Sequence, residues 1–297
     1  MKEYKHCTLC TRGCGVDRTA GQRGVCGASD EIRVGRAALH QWEEPPISGT
    51  RGSGTVFFVH CPLGCVFCQN RAISRRGEGG KVVTVPQLAQ TFLKLQEQGA
   101  HNINLVTATH YVPSVAQALE HARAHGLVIP VVYNTSGYET VETLRRLDGL
   151  VQIYLPDFKY CSSYYAERYS HAPDYPDIVR DAIDEMVRQT GAPRFDTDGL
   201  LIHGTVIRHL MLPELSGDTA QVLRCIAERW GDMVLVSLMR QYTPFDMQAF
   251  PELNRCITDT EYEQAVEWFS DLGLTGFLQD GQSIGESFIP EFDGQGV

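Results

Sequence analysis

The chain has 297 residues and a net charge of −10, with 26 Lys and Arg against 36 Asp and Glu. That balance argues against nucleic acid as a partner, because phosphate binding rests on basic side chains. No window approaches the run of about 18 apolar residues that a membrane span needs. The opening MKEYKHCTLC has no basic lead into an apolar stretch, so a cytoplasmic, thiol-reducing setting is expected.

Ten cysteines are too dilute for a disulfide scaffold, yet seven of them lie between residues 7 and 68. Such clustering reads as metal binding. Acidity is uneven too: residues 250–297 carry ten Asp or Glu against the single Arg255. This reads as a solvated surface.

Residues 1–50, glycine- and cysteine-rich, form a small metal-binding appendage in this reading. From residue 51 to 280 apolar β-branched runs alternate with amphipathic stretches. Strands are expected at 55–61, 103–109, 128–134, 151–157, 199–207, 233–239 and, shorter, 276–280. Helices are expected at 84–99, with Thr84 as N-cap, and at 113–126, 139–149, 176–191, 218–231 and 258–273. Strands apolar throughout suit a parallel sheet covered by helices. Six strand–helix units point to an α/β fold, an open (β/α)6 partial barrel, with a doubly wound sheet as the alternative. Residues 281–297 read as a flexible, glycine-rich tail.

Cys61, Cys65 and Cys68, spaced C-x3-C-x2-C, follow the first of these strands, on the face where parallel α/β folds place their sites. Three thiolates can hold three irons of a [4Fe–4S] cluster and leave the fourth open to a ligand. The plainer alternative is a zinc knuckle completed by His60. Cys7, Cys10, Cys14 and Cys26 form a second set that would close a coordination sphere, and zinc or a second iron–sulfur cluster both fit.

The loop, with Phe67 before its last cysteine, resembles that of radical S-adenosylmethionine (radical SAM) enzymes, and most closely relatives of the pyruvate formate-lyase activating enzyme, which are glycyl-radical-enzyme activases. The resemblance implies the partial barrel and a [4Fe–4S] cluster at Cys61, Cys65 and Cys68. It also implies reductive cleavage of SAM to a 5′-deoxyadenosyl radical that abstracts hydrogen from a polypeptide, a peptide or a small metabolite. Flavodoxin or ferredoxin would deliver the electron. Asn134 and Ser136 of NTSG, Asp157 and Lys159 of PDFK, and Arg208 of VIRHLMLPEL resemble the family's SAM-binding segments, with Phe67 near the adenine. A Gly-Gly-Glu motif is missing after the second strand. Thr107, Thr109 and His110 of LVTATHY would take its place. From another class, a non-catalytic iron–sulfur electron carrier would normally supply four cysteines per cluster, which the loop at 61–68 does not.

Overall fold

The computed structural model describes residues 2–75, 77, 79–245, 247–279 and 292–297. The strands are β1 (Ile32–His40), β2 (Ser53–Phe58), β3 (Lys81–Val83), β4 (Ile103–Val106), β5 (Val131–Thr135), β6 (Ile153–Pro156), β7 (Arg194–Phe195), β8 (Leu201–Leu210), β9 (Leu235–Met239) and β10 (Gly276–Leu278). The helices are α1 (Pro45–Ser48), α2 (Arg71–Ser74), α3 (Val85–Glu97), α4 (Val112–Ala124), α5 (Val141–Arg145), α6 (Ser163–Ser170), α7 (Tyr175–Thr190), α8 (Ser216–Arg229) and α9 (Asp259–Asp271).

The sheet runs β10-β9-β8-β6-β5-β4-β2-β1-β3, with β7 paired to β8. From β2 through β10 along this path the pairing is parallel, and β1 and β3 join antiparallel. The ends of the path do not pair, which gives the expected open barrel. All seven expected strands form. Thr84 caps α3 reciprocally with Gln87, and Thr258 does the same for α9 with Glu261.

Alternation along each strand divides the sheet's faces. Ile103, Leu105, Val131, Tyr133 and Tyr154 face outward into one cluster with residues of α3, α4, α5 and α7. Ile207, Val236 and Leu238 pack against the later helices. On the inner face Val132, Ile153, Leu155, Val206 and Leu235 gather around Ile47 of α1 and close the barrel interior below the strand ends.

Two expectations change at the chain's ends. The stretch 32–40 is no part of a separate appendage: it pairs with β2 from Val34↔Phe58 to His40↔Ser53. The sequence IRVGRAALH buries Ile32, Val34 and, past a bulge between Val34 and Arg36, Ala37, while Leu39 is exposed. Residues 281–291 of the expected tail lie outside the described residues. Beyond them Phe292 packs edge-on against Phe57 at 5.4 Å, and Gly294 and Gln295 exchange backbone hydrogen bonds with Gly35 and Ala37.

Candidate active site

The C-terminal ends of the parallel strands surround a cavity of about 490 Å³. Cys61, Cys65, Phe67 and Cys68 line one wall, and Thr107, Asn134, Ser136, Asp157, Lys159 and Arg208 line the rest. Ten of the twelve residues singled out for the cluster and for SAM therefore meet in one place.

The cysteine loop leaves β2 through His60, whose backbone is left-handed at φ 79°. Burial, with the thiolates of Cys65 and Cys68 nearby, pushes the Cys61 thiol up to about 12. Burial also raises Cys65, against which Lys159 works. Cys61 and Cys65, each raised by burial and by neighbouring thiolates, call for a soft cation beside them, and iron suits thiolate. Ser170 donates to Cys65 Sγ at 3.1 Å, and the Ser74 hydroxyl lies 3.2 Å from Cys68 Sγ. Among the described residues no three His, Cys, Asp or Glu side chains are gathered to hold a metal ion. A cubane asks instead for thiols set apart, one to each of three irons. His60 does not join them. Its ring packs on Gly27 and Gly77, and burial beside Arg33 and Arg23 lowers its pKa to about 4.

Two turns shape the far wall. Gly137 (φ +76°) must be glycine, because a Cβ would lie 2.6 Å from the Asp157 carbonyl and 2.7 Å from Val179. Tyr175 ties the turns together: its one hydroxyl proton is shared between the carbonyls of Asp157 (2.7 Å) and Ser136 (2.9 Å), and its oxygen accepts from Lys159 N (3.1 Å). The sequence offered no signal for this tyrosine, which sits on a helix remote from the motifs. The Ser136 hydroxyl is buried with no partner and is a donor at hand for a ligand. Lys159 Nζ pairs with Asp157 Oδ2 at 2.5 Å. Burial works against its ammonium, but Asp157 outweighs it and holds the lysine charged.

Arg208 is not the free fork expected of a carboxylate ligand. Its Nη2 pairs with Glu43 and Glu44, and its Nε donates to Glu44 at 2.8 Å. Asn104 adds a hydrogen bond to Glu43 at 2.8 Å. Burial alone would raise the Glu44 carboxyl, yet Arg208 draws it below the usual range. These groups form a charged layer between the cavity and the apolar plug below.

Thr109 and His110 do not reach the cavity. β4 ends at Val106, and Thr107 takes a left-handed turn (φ 60°) that sends the chain into a 3-10 turn at Thr109–Tyr111. The Thr109 hydroxyl donates to Glu139 at 2.6 Å, and His110 Nε2 meets the Val59 carbonyl at 2.8 Å. Burial lowers the His110 pKa to about 3.

Comparison with known proteins fits this geometry. The model of the radical SAM superfamily matches residues 55–189. An uncharacterized protein of Methanocaldococcus jannaschii is 30% identical over 275 residues, covering 89% of this chain and 74% of that one. This chain belongs to the radical SAM superfamily.

Solved radical SAM neighbours share the fold. HydG, a maturase of the [FeFe]-hydrogenase, aligns at TM-score 0.50 and 14% identity over 73% of this chain and 49% of its own. SuiB of Streptococcus suis, bound to S-adenosylmethionine, aligns at 0.52 and 12% over 74% and 48%. The chain thus spans about half the length of these two structures. The superfamily implies an enzyme with a [4Fe–4S] cluster and bound SAM. No helix among the described residues is long and apolar enough to cross a membrane.

Proposed function

We propose that this radical SAM enzyme holds its cluster through Cys61, Cys65 and Cys68 and abstracts hydrogen from a polypeptide, a glycyl-radical enzyme being the first substrate class to test. The observation that carries the reading is the single cavity that joins the three-cysteine loop to the strand ends at Asn134, Asp157 and Arg208. With cluster and SAM bound, one-electron reduction supplies a 5′-deoxyadenosyl radical, and the protein's share is orientation and exclusion of competing reactions.

The residues divide that share. Asn134 and the unpartnered Ser136 hydroxyl offer hydrogen bonds to a nucleoside. Asp157 and Lys159 offer one charge of each sign to the amino and carboxylate groups of methionine. Thr107 presents backbone groups where the Gly-Gly-Glu motif would lie. Phe67 supports the wall from behind, edge-on to Tyr160 at 6.4 Å and Tyr242 at 6.3 Å. A cavity of about 490 Å³ is on the scale of a small ligand, which a side chain or short loop could enter but a folded body could not. The same volume favours a small metabolite or peptide as the second reading.

The test is anaerobic reconstitution with iron and sulfide, then SAM and dithionite. Release of 5′-deoxyadenosine is expected. A loaded cluster that leaves SAM intact overturns the reading. For the electron donor, an acidic flavodoxin or ferredoxin is proposed to dock beside α2. Arg75 is exposed there, Arg71 lies over the Phe245 ring at 4.5 Å, and Arg76 lies outside the described residues. Arg75→Glu should slow reduction by flavodoxin but not by dithionite, with a defect that shrinks as salt rises.

A further inference from the structure

The N-terminal loop holds a buried charge with no acid to meet it. Arg18 is 1% exposed. Its guanidinium donates to the carbonyls of Ser29 (Nε, 3.0 Å, and Nη2) and His110 (Nη1, 2.6 Å), and lies over the rings of Tyr4 at 4.4 Å and Tyr111 at 5.6 Å. Among the described residues no carboxylate pairs with it. Its Nη1 instead lies 3.8 Å from Cys7 Sγ. A buried cation is retained when something anionic offsets it, and four thiolates around a divalent metal or a [4Fe–4S]2+ cluster carry two net negative charges.

The backbone is folded to suit such a centre. Cys7 N donates to the Val16 carbonyl, and Gly15 and Gly13 donate back to the carbonyls of Cys7 and Cys10. Val25 N points at Cys14 Sγ, 3.3 Å away. A Cβ on Gly24 would lie 2.8 Å from that sulfur. Backbone N–H groups aimed at sulfur are the surroundings of metal-bound thiolates.

A second arginine joins this loop to the cavity. Arg12, between Cys10 and Cys14, donates to the carbonyls of Pro62 (3.0 Å) and Leu63 (3.3 Å), inside the Cys61–Cys65 loop. It also donates to the carbonyls of Ser170 (3.2 Å) and His171 (2.5 Å). Ser170 is the residue whose hydroxyl reaches Cys65 Sγ.

We propose that Cys7, Cys10, Cys14 and Cys26 bind a second metal centre as thiolates, that Arg18 is its built-in counter-charge, and that Arg12 is a positioning residue through which this centre sets the shape of the 61–68 loop. The chemistry is a soft, thiolate-held cation: an iron–sulfur cluster, which takes one thiol per iron and suits thiols not gathered about one point, or zinc, which would need them to close together. Only the Arg12 step rests on the cluster reading of Cys61, Cys65 and Cys68.

Metal analysis of the native chain, reconstituted separately with iron plus sulfide and with zinc added, comes first. About four irons beyond the first cluster, or about one zinc, is expected per chain. A visible absorption band from the extra irons distinguishes the two sources. Four irons and no zinc in both arms overturns the second centre. A Cys61→Ser, Cys65→Ser, Cys68→Ser variant should keep that second metal, and Cys10→Ser with Cys14→Ser in the native chain should lose it while keeping the first cluster. If the triple variant loses no iron, the cluster reading fails while the second-centre measurement stands. Arg12→Ala should keep both metals but change the EPR spectrum of the first cluster and its response to SAM, and Cys10→Ser with Cys14→Ser should change it in the same way. Arg12→Lys, which can still bond one or two of the carbonyls, should restore the native spectrum in part. An unchanged spectrum in Arg12→Ala overturns the coupling.

Discussion

Cys61, Cys65 and Cys68 lie on the loop that leaves the first parallel strand and face a cavity, whereas Cys7, Cys10, Cys14 and Cys26 lie ahead of every strand and contribute nothing to its lining. The first set is three thiols beside polar groups from neighbouring strand ends. The second is four thiols enclosed by glycine turns and two arginines. Cysteine spacing alone makes both of them candidate metal sites. Position relative to the strand ends separates the set proposed to react from the other, because those ends alone bring side chains from many strands together.

Cys65→Ala should lower SAM cleavage at least about 1,000-fold in a folded chain, as expected when an essential cofactor ligand is lost. Cys14→Ala, on the enclosed set, should lower stability more than it lowers cleavage. Equal losses of cleavage from both, measured as 5′-deoxyadenosine release, would break the distinction.

The cavity's floor offers a sharper contrast in stability. Arg208→Ala would leave Glu43 and Glu44 buried without their cation. A loss of about 3–5 kcal/mol in urea unfolding is expected when one partner of a buried ion pair is removed. A loss below about 1 kcal/mol would mean that water already reaches the layer.

Acid should act on the barrel before it acts on the cysteines. His110 and His209 are buried and neutral, and burial lowers their pKa values to about 3 and about 4. His209 is fixed by the Phe158 carbonyl at 2.7 Å and Thr219 at 3.0 Å. Below pH ~6.5 the unfolded histidines take up protons that the folded ones refuse, so stability present above ~6.5 falls towards pH 4, by up to about 1.4 kcal/mol per pH unit for each histidine. His209→Gln should flatten that slope by one proton's worth. An unchanged slope would show that the site titrates normally.

The smallest effect is expected at Thr107. Its left-handed backbone costs about 1 kcal/mol, which glycine would not incur in the fold but would partly return through a freer unfolded chain. Thr107→Gly should shift stability by less than about 1 kcal/mol. SAM binding should survive if the backbone at 107, rather than the hydroxyl, serves the ligand.

These residues also show what a sequence can disclose. The parallel strands, the Thr84 cap and the three-cysteine loop are local patterns, so they were legible. Thr109 and His110 were misplaced because the strand was read to 109, while the turn at Thr107 is a conformation that no side-chain pattern announces. Glu43 and Glu44 went unnoticed because burying an acid makes sense only once Arg208, more than 160 residues on, is beside it. β1 was assigned to the appendage because the glycines and cysteines around it hid an alternation of only nine residues.

The apolar plug around Ile47 has a kinetic consequence. Among the described residues the barrel interior is filled below by Val132, Ile153, Leu155 and Val206, so ligands would reach the cavity from the strand-end side. Two ligands that both enter from that side would queue. The deeper one enters first and leaves last, so a bulky second substrate at the mouth confines the first until it departs. Steady-state measurements should then show an ordered sequence, with the fragments of the inner ligand trapped until the outer one has gone.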